Sequence, residues 1–384
     1  MPQQPRSRPA ERASAPGWLL GRIAGVPIIV ARSWLVIAAV VIALFGPRVA
    51  DVRPDLGVLA YVVAGAYALA LFGSVLVHEL AHALVAQRVG LPPTHIVINL
   101  WGGHTQFESE AATPGRSCAV AAVGPLSNGV VAVLAYLALG LLDPTGVASR
   151  LLEALAVTNA FVAAFNIVPG LPLDGGRVLE AAVWRATGDR ATGTVVAGWA
   201  GRLLAVGIVL AALAPFAQGR SPDLLLVVWA VLIAPMLWSG AGQAIASARV
   251  RRRAQGLSVA GLARPAGVVP LAASVDDVLG VLSDADAQRR GVVWVLAADG
   301  SVVGALDPRA AMSVPPQRRA VVAVGSVAAA HDPRAVIGLH LAGDDLVNVL
   351  RTLPGEVYAV VDRGRVVASL HATDVLAALS GTPT

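Results

Sequence analysis

The chain has 384 residues, of which 56% are hydrophobic and only 14% are charged. Soluble domains are about one quarter charged, so this composition excludes an ordinary soluble protein and indicates that much of the chain lies in a membrane. The net charge of +5 comes from arginine alone, since the chain has no lysine. These arginines lie beside apolar segments, which favours membrane topology signals over a nucleic-acid-binding surface.

The N-terminal residues are expected to lie outside the membrane. Residues 1–17 are polar, basic and proline-rich, and no short apolar core with a cleavage site follows them. This pattern predicts a disordered cytoplasmic tail. The apolar piece 18–32 is broken by glycine and proline, and we expect its last residues to complete a first span at about 30–46, because a bilayer requires about 20 helical residues.

Five further apolar segments predict five further spans. They lie at about 57–88, 117–142, 150–168, 198–217 and 222–246. The densest arginine cluster, within 249–253, follows the last of them. With the basic tail and an even number of crossings, it predicts that both termini are cytoplasmic. We therefore expect an α-helical polytopic membrane protein of about six spans.

The second predicted span contains the pattern H-E-x-x-H at His78, Glu79 and His82. Residues four apart share one face of a helix, so both imidazoles can bind one metal ion while Glu79 lies beside it. The alternative is a pair of packed histidines. Each unpaired ionisable side chain in hydrocarbon costs about 2.5–3.5 kcal/mol, however, so the motif predicts the metal site of a zinc hydrolase.

The segment after this span predicts a β-hairpin. Residues 95–101 are rich in β-branched side chains, Gly102 and Gly103 suggest a tight turn, and 104–108 return. Such a hairpin can enter the bilayer as a re-entrant element if protein covers it, and its free edge can pair with an extended peptide. His104 and His95 are either further metal ligands or ordinary loop histidines.

The third and fourth spans carry polar residues at membrane depth. Gly124-Pro125 predicts a kink, and we expect Asn128 after it to pack between helices or to support a metal ligand. Cys118, the single cysteine, excludes an intrachain disulfide and is expected to be a small buried apolar residue.

The fourth span breaks at 166–176, because two prolines and three glycines in that piece cannot continue a helix. Asp174 lies in this break, and a short helix is expected from about 175 to 186. A carboxylate there needs a counter-charge, and a metal ion held by two imidazoles needs a third protein ligand. We therefore expect Asp174 to complete a catalytic zinc site of two histidines and one carboxylate; capping of the following helix is the alternative role.

From about residue 255 the composition changes to a soluble α/β pattern. A helix is expected at 274–284, and 291–312 reads strand, Asp-Gly turn, strand, helix. A helix at 344–353 precedes the same order of elements at 356–379. This duplication predicts two units, at about 257–315 and 319–380. The expected regions are thus a tail at 1–17, a membrane domain at 18–250 and the duplicated domain at 251–384.

The motifs resemble those of a site-2-type intramembrane zinc metalloprotease followed by a tandem cystathionine-β-synthase (CBS) domain. They are HELAH at 78–82, Gly-Pro-x-x-Asn at 124–128, and N-x-x-P-x-x-P-L-D-G at 166–175. The resemblance implies one zinc ion held by His78, His82 and Asp174. It also implies Glu79 as the general base that activates water and Asn166 as a residue that positions the scissile carbonyl or its oxyanion.

The resemblance also implies substrates, partners and regulation. Similar proteases cut the membrane helix of single-pass proteins such as anti-sigma factors, within the cell membrane and its lipid, and a helical substrate must unwind first. Tandem CBS domains commonly dimerise and bind adenine nucleotides through G-x-x-T-x-x-D. That pattern is degraded in both units, which read Gly304, Asp307, Ala310 and Ala368, His371, Asp374.

Two alternative functions remain open from the sequence. A CBS-regulated transporter would need internal repeats in the membrane half, and we find none. A pseudo-protease would bind membrane proteins without cutting them, but the intact H-E-x-x-H motif argues against this.

Overall fold

The computed structural model describes residues 17–100, 102–107, 111–144, 146–221, 223–282, 291–353 and 355–381. The chain divides into two compact units between Ile245 and Ala246. The boundary between the membrane domain and the duplicated domain, predicted at 250/251, stays a prediction. Nearly all of the predicted tail lies outside the described residues, as do Trp101 and Glu108 of the predicted hairpin and residues 283–284 of a predicted helix.

Six helices in the described part of the chain are long and apolar enough to cross a membrane, as predicted. Only 6% to 33% of the apolar window of each helix is buried inside the protein, so the remaining apolar surface requires lipid. Small residues let the helices approach closely; every buried residue of α6 is Ala, Gly or Thr. The six are α1 (Trp34–Val52), α2 (Leu59–Arg88), α3 (Pro114–Leu139), α4 (Val147–Ile167), α6 (Arg190–Ala217) and α7 (Leu224–Gln255), with the shorter α5 (Asp174–Thr187) between α4 and α6.

The expectation for residues 18–32 is wrong, because they form two strands that precede the first span. A turn at Ala24-Gly25, both with positive φ, reverses the chain. Alternate residues of the second strand are then buried, which is the pattern of a half-buried strand. The strands are β1 (Gly17–Ile23) and β2 (Val26–Ala31).

The predicted hairpin exists as half of a larger sheet. It consists of β3 (Pro93–Asn99) and β4 (Gly102–Phe107), and the sheet order is β1-β2-β3-β4, with β2 parallel to β3. Gly102 pairs with Asn99 and opens β4, so the glycine pair does not form the turn itself. The buried face of the sheet packs on α2 beside the H-E-x-x-H motif, through Val26, Ile96, Ile98 and Ala83.

The break after α4 is held by its neighbour α6. The backbone N–H of Leu171 donates to the carbonyl of Ala197 at 3.0 Å, which satisfies a backbone group that hydrocarbon could not. Asp174 is the first residue of α5, and the cap position belongs to Leu173. The alternative role of Asp174 as a helix cap is therefore wrong.

The second unit contains the predicted duplication. One sheet has the order β6-β7-β8-β9 and the other β10-β11-β12-β5. The elements are α8 (Val259–Leu262), β5 (Arg264–Pro265), β6 (Gly267–Pro270), α9 (Val275–Leu282), β7 (Val293–Leu296), β8 (Val302–Leu306), α10 (Pro308–Met312), β9 (Ala328–Ala330), β10 (Val336–Gly338), α11 (Gly343–Thr352), β11 (Val357–Asp362), β12 (Arg365–His371) and α12 (Ala372–Ser380).

Each half of the duplication gives an edge strand to the other half. β5 belongs to the first half by sequence but pairs with β12, and β9 belongs to the second half but pairs with β8. The two sheets also share an apolar cluster that contains Trp294, which is 1% exposed, and Ala359. The two halves therefore form one folded module.

Candidate metal centre

The structure brings His78, His82 and Asp174 together. The Nε2 atoms of the imidazoles lie 3.1 Å apart, and Oδ2 of Asp174 lies 3.2 Å from one and 3.3 Å from the other. Zinc ligands in a tetrahedron, at about 2.0–2.1 Å from the ion, are about 3.3 Å from each other. The donor set and its spacing thus fit one zinc ion with an open fourth position.

Hydrogen bonds on the far side of each ring fix its orientation. Nδ1 of His82 donates to the carbonyl of Val120 at 2.7 Å, and Nδ1 of His78 donates to Oδ1 of Asn128. Each imidazole therefore carries its proton on Nδ1 and turns an unprotonated Nε2 toward Asp174. Such outer partners set the tautomer of a ligating histidine and tune its basicity.

Asn128 is itself held by a buried polar network between three helices. Its Nδ2 donates to Oγ of Ser74 at 3.2 Å and to Oδ1 of Asn159 at 2.7 Å. Ser74 also donates to Asn159, whose Nδ2 donates to the carbonyl of Leu155 at 2.9 Å. The three side chains are at most 8% exposed. Because water does not reach them, their hydrogen bonds to one another replace those that water would make.

Gly124 allows α3 to approach the metal site. A Cβ atom at this position would collide with both imidazole rings, of His78 and His82. The glycine of the Gly-Pro-x-x-Asn motif therefore makes room for the two imidazoles, and Asn128, one turn later, orients that of His78.

Glu79 is 5% exposed and contacts the sheet. The hydroxyl of Thr105 on β4 donates to its Oε2 at 2.8 Å. Gly103 lets β4 pack closely against the Glu79 side chain, because a Cβ atom at this position would collide with that side chain. The rotamer of this carboxylate is thus set by β4 and not by its own helix.

The site opens into a cavity of about 1080 Å³ in the membrane unit. Its lining includes the three proposed ligands, Glu79, Asn166, strand β4, and parts of α1 and α7. His104 lines it too but is exposed and lies outside the ligand cluster, which holds only His78, His82 and Asp174 among the described residues. Cys118 is partly and not fully buried.

The chain is similar to known zinc metalloproteases. The model of "Peptidase family M50" matches residues 66–149 and 143–211. The putative zinc metalloprotease Rip3 of Mycobacterium tuberculosis is 31% identical over 321 residues, 80% of this chain and 78% of the relative. The putative zinc metalloprotease sll0528 of Synechocystis sp. is 33% identical over 236 residues, 61% of each chain.

Two solved structures are also similar. The site-2 protease from Methanocaldococcus jannaschii is 23% identical, with a TM-score of 0.43 over 60% of this chain and 95% of its own. A CBS domain from a membrane protein of Sphaerobacter thermophilus is 16% identical, with a TM-score of 0.28 over 35% of this chain and 95% of its own.

Fold and site define a multi-pass membrane metalloprotease. The chain belongs to peptidase family M50, the site-2-type zinc metalloproteases.

The sequence identified the candidate metal ligands and Glu79. It did not identify three residues that hold these side chains or their partners in place, which are Ser74, Asn159 and Thr105. Ser74 and Asn159 are isolated polar residues in apolar helices, and Ser74 lies four residues before His78 on the same helix face, which was an available signal. No sequence pattern pointed to Thr105, because its contact with Glu79 depends on how the sheet packs against α2.

We expect Asn128→Leu to weaken zinc binding about 10–100-fold, the usual effect of losing the outer partner of a ligating histidine. The change removes the acceptor of His78 Nδ1, the donor to Ser74 Oγ, and one of the two donors to Asn159 Oδ1. Competition with a chromogenic chelator measures the affinity. Ser127→Ala is the matched control, because among the described residues the Ser127 hydroxyl donates only to the carbonyl of Gly124 in its own helix. Equal affinities for Asn128→Leu and wild type would contradict this role.

We expect Thr105→Val to lower kcat about tenfold or more, because a mispositioned base is out of reach of the proton that it must take. Thr105→Ser keeps the hydroxyl and should restore turnover. Valine is nearly isosteric with threonine, so KM and zinc content should stay near the wild-type values in both variants. A Thr105→Ser variant as slow as Thr105→Val would show that the hydroxyl is not the important group.

Proposed function

We propose that this zinc metalloprotease cleaves peptide bonds within the membrane-spanning segment of single-pass membrane proteins, such as anti-sigma factors, in regulated intramembrane proteolysis. The observation that carries the proposal is the position of the ligand cluster, on spanning helix α2 and at the break between α4 and α5. A metal centre there is accessible to a polypeptide in the bilayer. The cell membrane, with both termini cytoplasmic, is the proposed location, supported by six apolar helices and the arginines after the last apolar segment.

The ligand set that we propose is His78, His82 and Asp174. When bound there, zinc supplies a Lewis acid that polarises the scissile carbonyl and lowers the pKa of its water toward about 7. Within this chain, Glu79 takes the proton from the attacking water and delivers it to the leaving amine. Thr105 holds the carboxylate in place for both transfers.

We assign Asn166 to the substrate carbonyl. It lies near the C-terminus of α4 and lines the same cavity as Glu79 and the ligand cluster. Its amide can donate a hydrogen bond to the carbonyl oxygen as negative charge develops there, which is the role of an oxyanion-stabilising group.

The edge of β4 is the proposed place for the unwound substrate. β4 is the last strand in its sheet order, so one of its edges has no strand partner in that sheet. An extended peptide that pairs with this edge gains the backbone hydrogen bonds that it lost on unwinding. The same strand carries Thr105, so substrate binding and alignment of the base involve one element.

For the CBS region we propose an adenine-nucleotide site in the second half of the duplication, at about 319–380, and a homodimer contact. Asp374 accepts from Nη2 of Arg264 at 2.6 Å through Oδ1, whereas its Oδ2 is buried without a partner. Oγ of Ser369 and Nε2 of His371 are also buried without partners. In the first half of the duplication Asp307 caps α10, and Ala310 offers no polar group. The unsatisfied polar atoms around Asp374 therefore favour a nucleotide site in the second half of the duplication.

We expect Glu79→Gln to lower cleavage at least 100-fold, because an amide cannot accept the proton from water. Zinc content should stay near one ion per chain, since the ligands are unchanged. Reconstitution with a single-pass membrane substrate, followed by quantification of the cut products, measures this. Glu153→Gln on the exposed surface of α4 is the matched control. Wild type that binds the substrate but never cuts it would favour the pseudo-protease, and zinc-dependent solute flux in proteoliposomes would favour the transporter.

We expect Asp374→Ala to abolish binding of ATP and AMP to the full chain, as measured by calorimetry in detergent. Asp307→Ala should leave affinity within about twofold, because that carboxylate is used by its own helix. Wild-type protein with no detectable heat for either nucleotide would refute the proposed site. Light scattering of the same samples tests the homodimer.

A further inference from the structure

Arg202 is a charged residue in an apolar spanning helix, away from the metal centre. It lies on α6, and the 15 residues that follow it, 203–217, carry no charged side chain. The guanidinium carbon lies 5.0 Å from the ring centre of Trp199 and 4.9 Å from that of Trp238 on α7. Two tryptophans from two helices thus flank one cation.

The hydrogen-bonding capacity of this cation is not used within the described part of the chain. Its Nε is buried without an acceptor, and no described residue forms an ion pair with it. Contact with aromatic faces stabilises the positive charge but accepts none of the guanidinium hydrogens in the plane of the group. A buried N–H group without an acceptor is costly, so an acceptor from outside the described chain would stabilise this guanidinium.

The surroundings of Arg202 face lipid. Trp199 is 48% exposed and Trp238 is 47% exposed, although both belong to helices that cross the membrane. None of the three residues lines the active-site cavity. The acceptor therefore approaches from the bilayer and not from the substrate cavity.

The depth of the cluster matches the headgroup region. The uncharged run after Arg202 on α6 is about 22 Å long at 1.5 Å per residue, and the 14 uncharged residues before Trp238 on α7 span about 21 Å. These lengths cover most of the ~30 Å hydrocarbon core. A long arginine side chain reaches the remaining distance, and tryptophan is typical of this interface.

We propose that Arg202, flanked by Trp199 and Trp238, binds the phosphate of an anionic phospholipid. The planar guanidinium fork matches phosphate oxygens. Gly242 on α7 leaves room beside it, because a Cβ atom there would lie only 3.3 Å from Nη2. A lipid with net negative charge is favoured over a zwitterionic one, because the cation has no other counter-charge among the described residues.

The test compares purified full-length wild type with Arg202→Gln. In nanodiscs, phosphatidylglycerol should raise the melting temperature of wild type above its value in phosphatidylcholine. Mass spectrometry should find phosphatidylglycerol retained by wild type and reduced about tenfold or more in the variant, as expected when a charge-assisted hydrogen bond is lost. Arg220→Gln removes an exposed arginine after the other end of α6 and should behave as wild type.

Further arms separate the sources of phosphate and guard against misfolding. Inorganic phosphate added to detergent-solubilised wild type should give no shift, and a shift equal to that of phosphatidylglycerol would overturn the lipid assignment. A photoactivatable phosphatidylglycerol should crosslink wild type at residues 199–203 and 238–242, so the proposal stays testable even if Arg202→Gln fails to fold. Uniform crosslinking, or equal lipid retention by variant and wild type, would refute it. Lost substrate binding with normal lipid retention would instead identify the acceptor as an acidic side chain of a membrane partner.

Discussion

The contact of two imidazoles with one distant carboxylate is the interaction on which the membrane unit depends. His78 and His82 come from one turn of α2, whereas Asp174 arrives from the break between α4 and α5. Charged and polar groups in hydrocarbon are expensive when alone, so the surrounding helices are built to supply partners. Asn128, Ser74 and Asn159 satisfy one another and His78, and the carbonyl of Val120 satisfies His82.

The sheet that packs on α2 adds the second requirement of hydrolysis, which is an aligned base. Strand β4 presents Thr105 to Glu79 and is also the edge strand of its sheet. The N-terminal strands β1 and β2 extend this sheet on its other side. Strand β2 buries Val26 against α2, whereas the apolar residues of β1 are exposed. Glu79, the proposed base, is therefore held by a strand and not by a loop, which is how precise sites are supported.

The second unit is held together by exchanged strands and a shared apolar cluster. Its halves exchange edge strands and bury Trp294 between the sheets, so neither half has a complete sheet alone. The cluster of unsatisfied polar atoms around Asp374 lies in only one half. A duplicated module has thus kept a symmetric fold while its two polar sites diverged.

The sequence by itself determined the membrane class and the number of spanning helices, and it identified the candidate metal ligands. The length of an apolar segment predicts a span because the hydrocarbon core is about 30 Å thick. The H-E-x-x-H pattern puts two candidate ligands on one helix face because a helix repeats every 3.6 residues. Both relations are local in the chain. The partners of Glu79 and Asn128, the role of residues 18–32 as strands, and the exchange of β5 and β9 were decided only by tertiary structure. The contacts of Glu79 and Asn128, the pairing of β2 with β3, and the exchange of β5 and β9 each join residues far apart in the chain. No local periodicity or spacing records which distant element packs there.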